Sequence, residues 1–200
     1  MQLMVIGLNH KTAPVEVRER FSVPKEALRK GSANLAEYGG IHEAVVLSTC
    51  NRSEMYAVVE DAETDADALK QFLFDLTGNE ENIDEYLFAF ADEECIRHLF
   101  QVASSLDSLV LGEGQILSQV KAAYAMARES GTTSTVLNTL FHRTIATGKR
   151  VRTETRIACN SVSVSYAAVE LAKKELGGLE GREALLFGAG KMAKLTTALI

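Results

Sequence analysis

The sequence predicts an α+β chain in three stretches: a ferredoxin-like split βαβ subdomain over residues 1–91, a helical subdomain over 92–157, and the truncated start of a Rossmann α/β domain over 158–200. Three observations carry this. Up to residue 90 the pattern runs strand, helix, strand, strand, helix, the order of a split βαβ sandwich. From Asp92 the apolar residues recur every three or four positions, the period of amphipathic helices. Near the end a short apolar run meets Gly188-Ala189-Gly190, the order of a strand turning into a helix.

The elements follow in order. "LMVIGL", residues 3 to 8, is a continuous apolar strand ending in Asn9, His10 and Lys11. "VPKEALRKGSANLAEYGG" is a helix, with Pro24 suited to its first turn and Gly39-Gly40 as its stop. Val45–Leu47 and Met55–Val59 are two further strands, so Cys50 falls on the connection between them. "ADALKQFLFDLTGN" is a helix closed by Gly78, and "YLFAF", Tyr86 to Phe90, supplies a weak fourth strand. Asp92 is the expected N-cap of the helix "EECIRHLFQVASSL". "GQILSQVKAAYAMARESG" and "STVLNTLFHRTIATGKRVRTET" are the next two helices, and the glycines of "SLDSLVLGEGQ" predict a break before them. Another helix, "SVSVSYAAVELAKKEL", leads through a Gly-rich turn to the strand "ALLF".

Composition narrows the function classes. A chain of 200 residues at 46% hydrophobic can bury a real core. It has no apolar run long enough to span a membrane, and its N-terminus lacks a signal peptide's charged and cleavage regions, so a cytoplasmic protein is expected. Cys50, Cys95 and Cys159 are odd in number and widely spaced, which predicts reduced thiols and neither a disulfide framework nor a metal site. The net charge of −6 conceals a division: Glu60 to Glu94 hold thirteen Asp or Glu against Lys70 alone, leaving the remainder at +6. "FHRTIATGKRVRTETRIACN" is locally basic, which suits either phosphate contact or a solvated helix face.

The sharpest chemical feature is "VVLSTCNRSEMYAVV", residues 45 to 59. Cys50 on a strand connection is either a presented nucleophile or a small buried hydrophobe. Gly188, Ala189, Gly190, Lys191, Met192 and Ala193 match a dinucleotide-binding turn: one glycine for the turn, one for approach of the pyrophosphate, and a small residue for helix packing. Only one βα unit of such a fold precedes Ile200, so residues from 158 are expected to be poorly ordered or to pack unusually.

"STCNRSEMY" (48–56), "HLFQVASSLDSLVLGEGQILSQVKAAY" (98–124), "SVSVSYAAVELA" (161–172) and "GAGKMA" (188–193) together resemble glutamyl-tRNA reductase of the bacterial type, along the whole 200 residues. Two departures are Ser105, where the family usually has Gly, and Ser118, where it has Gly or Ala. The resemblance implies a catalytic, glutamyl-tRNA-binding domain over 1–157. It also implies NADPH as cofactor, and reduction of glutamyl-tRNA(Glu) to glutamate-1-semialdehyde, the first step of five-carbon tetrapyrrole synthesis. Further implications are a homodimer formed through a C-terminal domain absent here, and transfer of the aldehyde to an aminomutase.

Residue by residue, the resemblance makes Cys50 the nucleophile that forms a glutamyl thioester, a better hydride acceptor than an ester. It makes His98 a catalytic or positioning residue, as base, acid or spacer. Thr49, Asn51, Arg52, Ser108, Glu113, Gly114, Gln115 and Gln119 become substrate contacts, with Arg52 shaped to grip the glutamyl carboxylate and Glu113 to pair with its ammonium. Two other readings use the same residues: a cysteine esterase or acyltransferase without reduction, and a nucleic-acid-binding module in which the thiol is incidental.

Overall fold

The computed structural model describes residues 1–32, 35, 38–79, 81–157 and 164–200. Four strands, β1 (Gln2–Asn9), β2 (Ile41–Thr49), β3 (Arg52–Val59) and β4 (Phe88–Ala91), form one antiparallel sheet in the order β2-β3-β1-β4. That order places β3 between β1 and β2 and reproduces the split βαβ arrangement expected from the alternation of elements. The strands run longer than the apolar cores that announced them, because their polar ends are also paired. Arg52, Ser53 and Glu54 all lie in the β1–β3 ladder, from Asn9↔Arg52 to Gly7↔Glu54.

Both faces of this sheet are covered. Side chains alternate across a strand, so Val5, Val45, Leu47, Tyr56 and Val58 face one way and join the core with α4 (Asp92–Ala103), α5 (Ile116–Glu129) and α6 (Thr135–Glu154). Met4, Ile6, Val46, Met55, Ala57 and Val59 face the other way, against α2 (Lys25–Ser32) and α3 (Ala66–Thr77). All eight residues of β3 are consequently buried. The helices after residue 92 thus complete the sandwich by sharing the core of the first 91 residues. A short helix the sequence reading did not foresee, α1 (Val15–Arg20), follows β1 and packs Val17 beside Leu8 and Phe21.

Three local expectations change. Asp92 does not cap its helix: it takes φ +45°, and its carboxylate accepts the Leu3 N–H of the neighbouring strand. The break after α4 is present, with Ser105 at φ +62° and Gly112 at φ +78°; the left-handed backbone at Ser105 accounts for a glycine preference there. Ala184–Phe187 do not pair as a strand among the described residues, and Leu185 and Phe187 stand 80% and 92% exposed. A strand needs ladder partners for its backbone groups, and among the described residues none lies beside this segment. It leads through Gly188, at φ +103°, into the short helix α8 (Lys191–Thr197), which packs on α7 (Val164–Leu176). Cys159 lies outside the described residues. No helix among those described is long and apolar enough to cross a membrane.

The edge strand β2 is tied to the helical layer by Glu43. Its carboxylate, buried on the α6 side, accepts the Ser134, Val136 and Leu137 backbone N–H groups at 2.7, 3.1 and 2.9 Å. A side chain from a strand 91 residues away therefore satisfies the open donors at the start of α6, where a negative charge also complements the helix dipole. Thr132 adds its hydroxyl to the Ala44 carbonyl at 2.9 Å. Replacing Glu43 by Ala leaves those donors unpaired, the Leu137 N–H in a buried position, and is expected to cost about 2–3 kcal/mol. Thermal unfolding should show a midpoint lowered by roughly 5–10 °C, with Glu43→Gln intermediate.

Candidate active site

Cys50 and Asn51 form the two-residue connection between β2 and β3, closed by the Thr49↔Arg52 pair. Neither residue takes a positive φ, so this is not the left-handed turn that two-residue hairpins usually adopt. Outside contacts hold it instead. Thr49 Oγ1 accepts the Asn51 N–H at 3.1 Å, and the Asn51 carbonyl accepts the His10 N–H at 3.0 Å. Arg18 on α1 donates to Asn51 Oδ1 at 2.9 Å and to the Cys50 carbonyl at 3.3 Å. The result is an exposed thiol on a braced turn, while Cys95 is buried in the core, where loss of solvation pushes its thiol far up. Arg18 escaped the sequence reading because it sits 32 residues from Cys50 on a helix the periodicity did not reveal.

Directly behind the turn lies a buried ionic network. On β3, Arg52, Glu54 and Tyr56 share one face by the period of two, and all are essentially inaccessible to solvent. Arg52 Nη1 donates to Glu54 Oε1 at 2.6 Å and to Asp107 Oδ2 at 3.2 Å, and its Nη2 donates to the Asp107 carbonyl. Tyr56 donates its hydroxyl to Glu54 Oε2 at 2.6 Å, and Lys11 completes the set by pairing with Asp107. His98, on α4, places Nε2 3.1 Å from Glu54 Oε1 without aligning its N–H for a hydrogen bond. The ring is walled by Phe88 and Phe90, with centroids 5.1 and 5.4 Å away.

Electrostatics decide the state of this cluster. Burial by itself would raise the Glu54 carboxyl, but Arg52, then His98 and Tyr56, outweigh it and hold it below its ordinary value. Asp107 is likewise raised by burial and brought below its ordinary value by Lys11 and Arg52. Burial next to that ionised Glu54 drives the Tyr56 phenol well up, so it remains a proton donor. Glu54, His98 and Asp107 lie within 4.8 Å of one another, a spacing that a cation could bridge. The Arg52 guanidinium already fills that role, donating to both carboxylates.

Arg52 was expected to offer an open fork to a substrate carboxylate. The structure instead shows it 1% exposed and engaged within the protein, because Glu54 two residues on shares its face of the strand. Glu54, Asp107, Tyr56 and Lys11 were missed as site residues. The signal that could have found them is a pair of charges at alternate positions in "RSEMYAVV", which cannot both face a core without partners. Gly7 sits opposite Glu54, and a Cβ there would come within 2.4 Å of the Ser53 carbonyl oxygen and 2.7 Å of Glu54 Cα.

The other expected residues divide between two cavities. His98 and Asp107 line one of about 420 Å³ with Asn9, Lys11, Arg97 and Gln101. Gly114, Gln115 and Gln119 line another of about 530 Å³ between β2 and α5, together with Ser48. Ser108 is half-buried with its hydroxyl 3.3 Å from that of Ser105, which itself donates to the Glu113 carbonyl at 2.9 Å. Glu113 is half-buried, and loss of solvation raises its carboxyl, with Arg52 and Arg152 partly opposing. The Gly188–Ala193 turn has the backbone bend a dinucleotide turn needs. Its preceding segment joins no sheet among the described residues, so these residues do not by themselves fit a nicotinamide dinucleotide.

These features define an α+β domain that presents one cysteine at the end of an antiparallel sheet, with a buried Arg–carboxylate network behind it. A family model described as "Glutamyl-tRNAGlu reductase, N-terminal domain" matches residues 6–155. The chain therefore belongs to the glutamyl-tRNA reductase family. It is 50% identical over 197 residues to a glutamyl-tRNA reductase of Desulforudis audaxviator, covering 98% of this chain and 44% of that protein. It is 48% identical over 196 residues to that of Pelobacter propionicus, covering 98% of this chain and 45% of the relative. The solved glutamyl-tRNA reductase of Methanopyrus kandleri superimposes with a TM-score of 0.69 at 38% identity, over 97% of this chain and 45% of that one. The chain thus spans somewhat less than half the length of these relatives.

The network makes two tests specific. Glu54→Ala strands the Arg52 guanidinium without its nearest partner and is expected to cost roughly 3–5 kcal/mol in urea unfolding. Depressed carboxyls contribute stability above their unfolded values, about 4, and lose it as pH falls through the lower folded values. Stability should therefore hold above about pH 5 and decline below it. Glu54→Gln should flatten that acid limb in unfolding curves taken at stepped pH.

Proposed function

We propose that this chain carries the acyl-accepting half of glutamyl-tRNA reductase: Cys50 takes the glutamyl group from glutamyl-tRNA(Glu) as a thioester. The observation that carries the reading is the exposed Cys50 thiol on its braced turn, in a chain of this family. The Cys50 sulfur attacks the ester carbonyl and an S–C bond forms. The C–O bond to the terminal ribose breaks, and that oxygen takes up a proton as the tRNA leaves. A thioester carbonyl is more electrophilic than the ester it replaces, which suits later hydride transfer.

Thr49, Asn51, Ser108, Glu113, Gly114, Gln115 and Gln119 are our substrate contacts, and His98 the group that positions or relays protons. Arg52 reaches the glutamyl side-chain carboxylate by exchanging its contact with Asp107, which Lys11 continues to neutralise. The reduction to glutamate-1-semialdehyde, which opens tetrapyrrole synthesis, we assign to NADPH in the whole cytoplasmic enzyme. Gly188, Ala189, Gly190, Lys191, Met192 and Ala193 would belong to its cofactor turn. Dimerisation and transfer of the aldehyde to an aminomutase are properties we extend to that whole enzyme.

Incubation of this chain with glutamyl-tRNA, followed by intact-mass analysis, should show one glutamyl adduct on Cys50 and none on Cys50→Ser. Release of glutamate should fall at least 100-fold in that variant. A full-length enzyme that turns over without NADPH would favour the esterase reading instead.

A further inference from the structure

Charge is spread unevenly over the two faces of the sheet. The acidic stretch that begins at Glu60 runs through α3, which packs on the β-face opposite α4, α5 and α6. On α6 the exposed positions His142, Arg143, Ala146, Lys149, Arg150 and Thr153 recur every three or four residues and make one stripe, about 17 Å long at ~1.5 Å per residue. Lys121 and Arg128 on α5 flank Tyr124, which stacks on Phe141 and meets the His142 ring edge-on, so these cations border the same stripe. The carboxylates nearby are spoken for: Glu154 is bound by Arg150 at 3.1 Å, and Glu129 lies 3.8 Å from Arg29. At the start of α4, Glu93 is held by Arg97. Among the described residues, Lys121, Arg143 and Lys149 form no ion pair.

One more contact joins this stripe to the candidate site. Arg152, one turn along α6 from Lys149, donates to the Glu113 carbonyl at 3.1 Å, and its Nη2 lies 3.4 Å from where a Gly114 side chain would begin. The basic helix thus ends beside the loop proposed to hold the aminoacyl group.

We infer that the α5–α6 basic seam is the docking surface for the tRNA backbone, with Arg143, Lys149, Lys121 and Arg128 against phosphates of the acceptor stem and the 3′ end passing Arg152 to reach Glu113–Gln115. This rests on the proposed function, since it takes glutamyl-tRNA as substrate. A stripe of this length follows several consecutive phosphates, and the acidic segment around α3 on the other side of the sheet repels the same polyanion, so the field of the domain orients its approach.

The test is titration of uncharged tRNA by fluorescence anisotropy, over a range of salt, with wild type, Arg143→Glu/Lys149→Glu, and Lys70→Glu on the acidic face as control. Acylation of Cys50 by a small glutamyl thioester, which has no tRNA body, is read in parallel. The seam variant should bind tRNA at least tenfold more weakly, with a salt dependence shallower by about one unit per side chain, while its reaction with the small thioester is unchanged. Unchanged affinity and slope, or an equal loss in Lys70→Glu, would overturn the docking surface. Failure of the small thioester to acylate wild type would instead count against the Cys50 chemistry, with the tRNA titration still deciding the surface.

Discussion

The buried guanidinium of Arg52 is the constraint from which the rest of the site follows. Removing a charge from water costs several kcal/mol, so Arg52 can be buried only where carboxylates and carbonyls meet it with good geometry. Glu54 supplies one partner from the same strand face, and Asp107 supplies both its side chain and its backbone carbonyl from the loop after α4. Lys11, beyond the end of β1, closes the set. Three stretches remote in sequence are thereby fastened at one end of the sheet, and the Cys50 turn is the next thing along the chain. The same economy of space requires Gly7 opposite Glu54, and the same ionised carboxylate sets where the His98 ring sits.

Around that fixed point the domain separates two tasks. The turn bearing Cys50 is braced by Thr49, His10 and Arg18, so the proposed nucleophile is exposed without being loose. In the proposed function, recognition falls to surfaces on either side: the cavity between β2 and α5, with Gly114, Gln115 and Gln119, and the cationic stripe that runs along α6 towards it. A large anionic substrate can then be held by its backbone at a distance while its small reactive group is placed among directional hydrogen bonds. Positioning of this kind accounts for much of what an enzyme gains when it forms a covalent intermediate.

Much of this was legible in the sequence wherever local pattern governs. The order of elements, the helix stop at Gly78, the irregular stretch around Ser105 and Gly112, and Cys50 on a strand connection all follow from periodicity and glycine placement. What escaped depends on partners far away in the chain. The polar start of β3 looks like loop until β1 pairs with it. Arg18 means nothing until α1 folds against the turn, and Glu43 reads as an ordinary strand charge until α6 places its first amide groups over it. The strand "ALLF" failed for the converse reason: its residues have the right propensity but no neighbouring strand to satisfy them. Arg52 shows the limit most clearly, since the motif named the residue while only the packing revealed that its donors face inward.

The role of the buried network is tested most sharply by the single-turnover rate of Cys50 acylation by glutamyl-tRNA in Glu54→Gln, with alkylation of the same thiol by iodoacetamide as a control. Glu54 is fully buried, and its contacts are with Arg52, Tyr56 and His98, so it acts by holding those groups in place. Acylation should slow about 100-fold with alkylation nearly unchanged, because the thiol stays exposed while the groups proposed to align the ester lose their anchor. Acylation at the wild-type rate in a folded Glu54→Gln protein would contradict that role, and would reduce the buried network to a prop of the fold.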